Sequence, residues 1–412
     1  MHRTPSSSRL QIAICGRRNV GKSSLLNALA DQPVALVSAV PGTTTDPVQK
    51  AMELLPFGPV LLIDTAGVDD DSGELGKKRV QRTERVLRRA DLAVLVVDAT
   101  QGITHWERKL ARAIESAKIP GLAVLNKIDL LADAAADRKA TLQGLSSTLA
   151  ALDELGLSSI AVSTVTRQGI KQFREKLVQL APASFWEDRP LVGDLLQPGD
   201  QVLLIVHLDA AAPKGRLILP QVQLLRDLLD HGCSGIIARD SEAAVALANL
   251  ERPPRLVVTD SSVFAQAAAI VPPHIQLTSF SILMARQKGD LATLAAGSRA
   301  VACLRPGDRV LIAEVCTHAV QHEDIGRVKI PAGLNKLAGG PLDFTFAAGA
   351  DLPDDLSRFR LVVHCGGCML NRRTMLARLD QAAQAGVPIV NYGVLLAYLQ
   401  GILPRALQPF EL

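Results

Sequence analysis

The sequence predicts an α/β protein in which a phosphate-binding domain is followed by two further α/β units. Three observations carry this prediction. The run Gly16-x4-Gly21-Lys22-Ser23 joins an apolar strand to an amphipathic helix and has the spacing of a P-loop. Short apolar strands alternate with amphipathic helices, and the alternation resumes beyond residue 200. The length of 412 residues is enough for two or three domains, each with its own core.

The composition narrows the class of protein. Hydrophobic residues make up 48% of the chain and charged residues 21%, and no apolar run reaches the roughly 18 residues that span a bilayer. Aromatic residues at 3% and a net charge of +4 argue against a nucleic-acid partner. The amino end lacks the apolar segment of a secretory signal, and six cysteines in so long a chain do not predict a disulfide framework. We therefore expect a soluble, cytoplasmic protein with no membrane or nucleic-acid partner.

The P-loop predicts the contacts to a nucleotide. Its backbone N–H groups curl around phosphate, and the start of the following helix adds a partial positive charge. We expect Lys22 to bridge the β- and γ-phosphates and the Ser23 hydroxyl to bind Mg²⁺. The other residues of this segment that we expect at the nucleotide are Gly16, Asn19, Val20, Gly21 and Ser24.

Two further segments complete the predicted phosphate and Mg²⁺ site. An apolar strand at 60–63 ends in Asp64-Thr-Ala-Gly67. We expect Asp64 to hold Mg²⁺ through water and the Gly67 amide to sense the γ-phosphate. Upstream, the run PGTTTDPV supplies hydroxyls, and we favour Thr44 over its two threonine neighbours as the Mg²⁺ ligand.

The base is predicted to be guanine. Asn126-Lys127-x-Asp129 follows a third apolar strand, and a carboxylate at Asp129 accepts two N–H bonds from guanine. Adenine lacks this donor pair, so an unpaired buried carboxylate rejects it. Ser163-Thr164 lies where the last guanine-contact loop belongs, although many GTPases have alanine at the second position. The sequence therefore predicts GTP as the nucleotide and GTP hydrolysis as the activity.

The P-loop segment GRRNVGKS resembles that of the TrmE and Era-like GTPases. In that group an asparagine at the position of Asn19 can hold K⁺ in place of an arginine finger. Val68 follows Gly67, so no glutamine is available there to orient water. The hypothesis is slow basal hydrolysis stimulated by K⁺; the alternative is that Asn19 only closes the loop. The basic run at 77–89 predicts a solvated helix face, or else a docking site for an acidic partner.

The second half of the chain divides into two predicted units. The first domain is expected to close near residue 181, before the connector PASFWEDRP. The following strands and helices carry no catalytic constellation, so subunit association is their expected role.

Five metal-capable side chains lie at two predicted strand ends. The strand at 309–315 delivers Cys316-x-His318, and the strand at 360–363 delivers His364-Cys365-Gly-Gly-Cys368. The carboxyl ends of parallel strands form the ligand crevice of α/β folds. Three cysteines and one histidine suit tetrahedral Zn²⁺, while three cysteines with a looser fourth position suit a [4Fe–4S] cluster. We predict that the other cysteines, Cys15, Cys233 and Cys303, are buried structural residues.

A TrmE/Era-like GTPase segment followed by this cysteine–histidine pattern resembles the HydF family of [FeFe]-hydrogenase maturation GTPases. The resemblance covers nearly the whole chain and implies a GTPase domain at 1–181, a dimerisation domain at 190–266 and an iron–sulfur cluster-binding domain at 267–412. It implies that Cys316, Cys365 and Cys368 hold a [4Fe–4S] cluster, with His318 and His364 as candidate fourth ligands.

The same resemblance implies a function and partners. The protein would be a scaffold or carrier for a transient di-iron subcluster. Its partners would be the radical-SAM hydrogenase maturases and apo-[FeFe]-hydrogenase, and it would form a homodimer or a higher homo-oligomer. The alternative is an RNA-modification or ribosome-assembly GTPase with a structural zinc site.

Overall fold

The computed structural model describes residues 5–30, 48–65, 73–133, 138–187, 189–208, 217–315, 324–349 and 351–412. The chain forms two compact units, Met1–Asp188 and Arg189–Leu412. Four predicted site residues lie outside the described ranges: Thr44, Gly67, Cys316 and His318.

The first unit is built on one sheet with the strand order β2-β3-β1-β4-β5-β6. Strand β2 runs antiparallel to β3, and the other neighbours are parallel. The strands are β1 (Leu10–Cys15), β2 (Val48–Leu54), β3 (Gly58–Asp64), β4 (Leu92–Asp98), β5 (Gly121–Asn126) and β6 (Ser158–Ala161). The helices are α1 (Lys22–Ala30), α2 (Gly73–Arg89), α3 (His105–Ser116), α4 (Asp129–Asp133), α5 (Arg138–Glu154), α6 (Ile170–Leu180) and α7 (Ala183–Trp186).

Successive side chains of β1 enter two different cores. Ile12 and Ile14 pack with Phe173 on one face of the sheet, whereas Ala13 and Cys15 pack on the other. The alternation follows from the two-residue period of a strand, and both faces are apolar because helices cover both. Cys15 is fully buried in this arrangement, in agreement with its predicted structural role.

The second unit contains two four-stranded parallel sheets, ordered β10-β9-β7-β8 and β12-β11-β13-β14. Their strands are β7 (Gln201–Val206), β8 (Ser234–Arg239), β9 (Leu256–Thr259), β10 (Gln276–Ser279), β11 (Arg309–Glu314), β12 (Asp343–Ala348), β13 (Leu361–His364) and β14 (Ile389–Asn391). The helices are α8 (Leu219–Asp230), α9 (Ala243–Ala248), α10 (Phe264–Ile270), α11 (Phe280–Lys288), α12 (Leu291–Gly297), α13 (Ile330–Ala338), α14 (Arg372–Gln384), α15 (Tyr392–Leu399) and α16 (Leu403–Leu407).

The first of these sheets extends beyond residue 266, the predicted end of the middle domain. Strand β10 pairs with β9 in parallel register, from Gln276↔Leu256 to Ser279↔Thr259. The short run at 276–279 has only four residues, too few to assign to a particular sheet from periodicity.

Helix α11 links the cores of the two sheets. Phe280 and Met284 pack in a cluster with residues of β7, while Ile282 and Ala285 pack in the cluster that contains β11 and β13. The structure thus confirms an α/β protein with a P-loop unit and further α/β units. Helices long and apolar enough to cross a membrane are absent from the described part of the chain.

Candidate functional site

The P-loop connects β1 to α1 and is held closed against the end of β5. Gly21 has φ +94°, and a Cβ atom there would lie 2.2 Å from the Asn126 amide nitrogen. Glycine is required at this position because a side chain would be strained and would also collide. Lys22 begins α1, and its Nζ donates to the carbonyl oxygens of Gly16 at 3.1 Å and Arg17 at 2.7 Å. The lysine is therefore already folded over the loop that would receive phosphate. The two serines that follow it, Ser23 and Ser24, are exposed.

Asp64 lies at the end of β3, opposite Ile14 of β1. Its Oδ1 is buried without a hydrogen-bond partner among the described residues. Burial raises the pKa of Asp64, and the positive charge of Lys22 opposes that rise. An unpartnered buried carboxylate oxygen fits a cation, since a bound Mg²⁺ would compensate the desolvated charge.

The predicted guanine motif, Asn126 to Asp129, forms the second part of the nucleotide site. Asn126 donates from its amide to the Val20 carbonyl oxygen at 3.0 Å and accepts from the Thr164 amide at 3.3 Å. It therefore ties the P-loop to the loop of Ser163. Asp129 begins α4, and its Oδ1 is buried without a partner in the described ranges. That orphaned acceptor fits the donor pair of guanine.

The loop after β6 is fixed by its own serine. The Ser163 side chain is fully buried, and its Oγ accepts from the amides of Val165 and Thr166. Asn19 is exposed and has φ +59°, a conformation that asparagine tolerates better than most residues. The K⁺ role of Asn19 stays a prediction.

Sequence reasoning missed two acidic residues that support this site. The Lys127 ammonium lies 2.7 Å from Asp98 Oδ2 at the end of β4. Burial works against ionisation, but hydrogen bonds from Lys127 and Thr100 outweigh it, and the pKa of Asp98 is lowered. Arg17 of the P-loop pairs with the fully buried Glu107 of α3 at 2.5 Å. Asp98 could have been identified from the sequence because it lies at the end of an apolar strand. For Glu107 the sequence indicated only that it lies near the start of a helix.

The carboxyl ends of β11 and β13 form a second candidate site. The two strands are neighbours and run parallel, with Ala313 opposite His364. The Cys365 amide donates to the Ala313 carbonyl oxygen at 3.0 Å, which extends the pairing to the first cysteine of the CxxC loop. Gly367 has φ +65° inside this loop, a conformation that a residue with a Cβ atom adopts only with strain. The Cys365 and Cys368 side chains are both partly buried.

His364 is engaged by the protein on both ring nitrogens. Nδ1 lies 2.6 Å from the Cys365 carbonyl oxygen, and Nε2 lies 2.5 Å from an Arg378 guanidinium nitrogen. Because a guanidinium can only donate, Nε2 must accept and Nδ1 must carry the hydrogen. Burial and the Arg378 charge lower the pKa of His364 to about 3.

In this arrangement His364 could bind a metal through Nε2 only if it gave up the Arg378 contact. Its role as a candidate fourth ligand stays a prediction. The sequence pattern could not show this contact, because the guanidinium comes from a helix outside the motif. His318, the other candidate, lies outside the described residues.

A buried lysine supports the CxxC loop from the opposite helix. Lys288 ends α11 and is only 6% exposed. Its Nζ donates to the Cys368 carbonyl oxygen at 2.6 Å. Burial lowers the pKa of Lys288 to about 8.

An ion pair joins described residues on either side of positions 316–323. The Glu314 carboxylate accepts from Arg327 Nε and Nη2, both at 3.1 Å, and from the Tyr392 hydroxyl at 3.2 Å. Asp324 caps the following turn by accepting from the Arg327 amide at 2.8 Å. The strand that leads into Cys316 and the helix that follows His318 are thereby tied together.

Within the described ranges no group of three or more His, Cys, Asp or Glu side chains is close enough to hold a metal ion. Two of the predicted ligands, Cys316 and His318, lie outside these ranges. The fit of the site to a metal rests on the two described cysteines. Burial raises the pKa of the Cys365 thiol, and a bound metal would displace its proton.

The fold and the nucleotide site define a P-loop GTPase with an appended pair of α/β domains. Residues 11–127 match the family model of a 50S ribosome-binding GTPase. Residues 191–289 match the hydrogen maturase F dimerization domain, and residues 292–409 match the hydrogen maturase F tetramerization domain. These two matches together cover more than half of the chain, and the chain belongs to the hydrogen maturase F family. Its two oligomerisation domains indicate a homo-oligomer.

Curated relatives align with the GTPase part. The chain is 35% identical over 187 residues to the tRNA modification GTPase MnmE of Moorella thermoacetica, which is 44% of this chain and 38% of that protein. It is 45% identical over 131 residues to GTPase Der of Thermomicrobium roseum, which is 31% of this chain and 28% of that protein. The chain thus spans less than two-fifths of the length of either relative.

Solved structures show weaker likeness. Era of Aquifex aeolicus is 20% identical, with a TM-score of 0.35, over 56% of this chain and 92% of Era. The G domain of the FeoB iron transporter of T. maritima is 23% identical, with a TM-score of 0.32, over 42% of this chain and 99% of that domain.

Proposed function

We propose that this protein is a GTP-hydrolysing scaffold that carries a [4Fe–4S] cluster on Cys316, Cys365 and Cys368. The observation that carries the proposal is the pairing of β11 with β13, since the strand before Cys316 and the strand before Cys365 are adjacent and parallel. Membership of the hydrogen maturase F family supports it. Three cysteine ligands leave one iron with an exchangeable position, and that open position is the chemistry the cluster supplies.

The hydrogen bonds of His364 support a cluster iron with an open fourth ligand position. Its Nε2 accepts from Arg378 and its Nδ1 faces the Cys365 carbonyl, so the ring holds the loop rather than completing the ligand set. His318 stays as the candidate protein ligand. An iron without a permanent protein ligand is able to receive and release cargo.

The cargo in this proposal is the transient di-iron precursor of the [FeFe]-hydrogenase active site. The radical-SAM hydrogenase maturases would supply or modify it, and apo-[FeFe]-hydrogenase would receive it. A homodimer or higher oligomer formed by the second unit would present the site. This assignment rests on family membership.

Metal content tests the proposal. Anaerobically purified and reconstituted protein is expected to be brown and to hold iron and sulfide in equal amounts, and Cys365→Ser should remove most of the iron. Cys233→Ser is the matched control, since Cys233 is a buried cysteine just before β8 in the same unit. A colourless protein with stoichiometric zinc would overturn the proposal in favour of a GTPase with a structural zinc site.

In this proposal GTP acts as a timing device. Asp64 and Lys22 would respond to the γ-phosphate and Mg²⁺, and the nucleotide state would change affinity for a maturase. Binding of a radical-SAM maturase should therefore differ among the GTP-bound, GDP-bound and nucleotide-free protein. Identical affinities in all three states would rule the timing role out.

The K⁺ role of Asn19 is a separate proposal. It is supported by the exposure of the residue within the P-loop and by its left-handed conformation. GTP hydrolysis is expected to be faster in KCl than in NaCl at the same ionic strength, and Asn19→Ala should abolish the difference. Equal wild-type rates in the two salts would remove the K⁺ site.

A further inference from the structure

The buried ammonium of Lys288 occupies an unusual electrostatic position. The side chain is only 6% exposed, and its hydrogen bond goes to the neutral carbonyl oxygen of Cys368 at 2.6 Å. In the described structure no carboxylate forms an ion pair with it, whereas the half-buried Arg327 of the same unit pairs with Glu314. An uncompensated buried charge is costly, so this position calls for an anion nearby.

The neighbouring chemistry supplies a candidate for that anion. The Cys368 side chain packs against the same core cluster as Phe280 and Met284 of α11, the helix that ends at Lys288. Three thiolates outweigh the positive charge of an oxidised [4Fe–4S] core, and reduction adds further negative charge. The cluster site would therefore be anionic in both redox states, and more so when reduced.

The contact between Lys288 and Cys368 also joins two domains. Lys288 lies in the segment matched by the dimerization model, and Cys368 lies in the segment matched by the tetramerization model. Arg372, close to the CxxC loop, donates in the opposite direction to the carbonyl oxygens of Gln287 and Gly289. The end of α11 is thus tied to the CxxC loop by the Lys288 contact and to the start of α14 by the two Arg372 contacts.

We propose that Lys288 is a positioning residue of the cluster site: it fixes the CxxC loop through the Cys368 carbonyl, and its charge compensates the anionic cluster. This inference rests on the proposed function, because it requires that a cluster binds at the cysteines. It assigns a role in cluster retention and redox behaviour to a residue outside the cysteine–histidine motif.

The test uses the full chain at pH 7 and compares Lys288→Met, Lys288→Arg and wild type after the same reconstitution. Methionine keeps much of the length and removes the charge, whereas arginine keeps the charge. In Lys288→Met the midpoint potential, measured by an EPR-monitored redox titration, should shift to more negative values because the reduced cluster loses most compensation. Release of iron to a chelator should be about tenfold faster or more, as is typical for residues that support metal ligands.

Lys336→Met is the control, since Lys336 is an exposed lysine of the same unit, on α13. It should leave the potential and the release rate unchanged. Lys288→Arg should stay closer to wild type than Lys288→Met in both measurements.

Thermal unfolding with and without the cluster distinguishes charge compensation by Lys288 from a purely structural role. If the charge compensates the cluster, loading should raise the unfolding midpoint of wild type by more than that of Lys288→Met. Equal shifts on loading, together with an unchanged potential, would overturn this inference while the proposed function stood. A wild-type protein that binds no cluster would instead overturn the proposed function, and this inference with it.

Discussion

The two candidate sites differ in whether their polar groups already have hydrogen-bond partners within the protein. At the nucleotide site, Asp64 and Asp129 each keep a buried carboxylate oxygen without a partner in the described structure. At the CxxC loop, the neighbouring polar groups are already engaged: His364 by Arg378, and the Cys368 carbonyl by Lys288. The first site keeps acceptors ready for its ligand. At the second site the polar contacts hold the CxxC loop in place, and the cysteine thiols remain available to bind a metal.

The two sites also differ in where their supporting residues lie in the sequence. The nucleotide groups come from short motifs at the ends of β1, β3 and β5. The supports of the CxxC loop come from α11 and α14, and the Lys288–Cys368 contact spans 80 positions of the sequence. Four substitutions test this contrast, taken from the largest expected effect to the smallest.

Substitution of Asp129 by asparagine should have the largest effect. Asp129→Asn replaces an acceptor with a group that also donates, so the donor pair of guanine loses its partner and GTP affinity should fall by roughly 10³-fold. A xanthine base has a carbonyl where guanine has an amino group, so xanthosine triphosphate should bind the variant better than GTP. Titration with fluorescent analogues of both nucleotides measures this. Unchanged GTP affinity would show that Asp129 does not read the base.

Substitution of Cys368 by serine should remove most of the reconstituted iron. The Lys288 contact is to the main-chain carbonyl, so Cys368→Ser changes the ligand while keeping the support of the loop. Iron per chain and visible absorption are the measurements. Cys303→Ser is the control, because Cys303 lies in the same unit and is exposed. The prediction that Cys303 is buried was therefore wrong. If both variants retained iron equally, Cys368 would not be a ligand.

Substitution of Arg378 by methionine tests the support on the other side of the loop. Arg378→Met leaves His364 Nε2 and the Gly349 carbonyl oxygen without their guanidinium donor. The free energy of unfolding of the metal-free protein should fall by about 2–4 kcal/mol, since buried acceptors lose their partners. Urea unfolding measures it, and the exposed Arg299→Met is the control, expected within about 0.5 kcal/mol of wild type. A cost no greater than that of the control would mean that the Arg378 contacts do not support the loop.

Substitution of Asp98 by asparagine should have the smallest effect, and it should depend on pH. Asp98→Asn removes the charged partner of Lys127 and should cost about 2 kcal/mol at pH 7. Because the pKa of Asp98 is lowered in the folded protein, its stabilisation is complete above the pKa of an unfolded aspartate, about 3.9, and is lost as pH falls further.

Thermal midpoints of wild type and Asp98→Asn at pH 7, 5 and 3 check this prediction. The difference between the two proteins should persist at the two higher values and shrink at the lowest. Asp153→Asn, at an exposed position of α5, is the matched control. A difference that stays constant over the whole range would mean that the ion pair contributes nothing.

Much of the fold could be predicted from the sequence because its signals are local. The P-loop, the strand before Asp64 and the strand before Asn126 lie where expected, and β11 and β13 are parallel as predicted. Apolar strands that end in polar residues are readable without a structure, since burial and chain direction determine both.

The rest could not be predicted because it depends on contacts between distant segments. Nothing in the sequence near Arg378 indicates that its guanidinium reaches His364, and nothing near Lys288 indicates the CxxC loop. The four residues of β10 could have joined either sheet. In each case packing, not periodicity, decides the partner.

The position of α11 also constrains how this protein can be divided or inherited. A fragment that began at residue 292, where the second hydrogen maturase F match starts, would lose Ile282 and Ala285 from the core that supports β13. The exposed cavity would meet solvent, and the fragment would be prone to aggregate. Gene fusion or domain exchange should therefore move residues 189–412 as one module, with the cut placed between the two compact units rather than between the two oligomerisation domains.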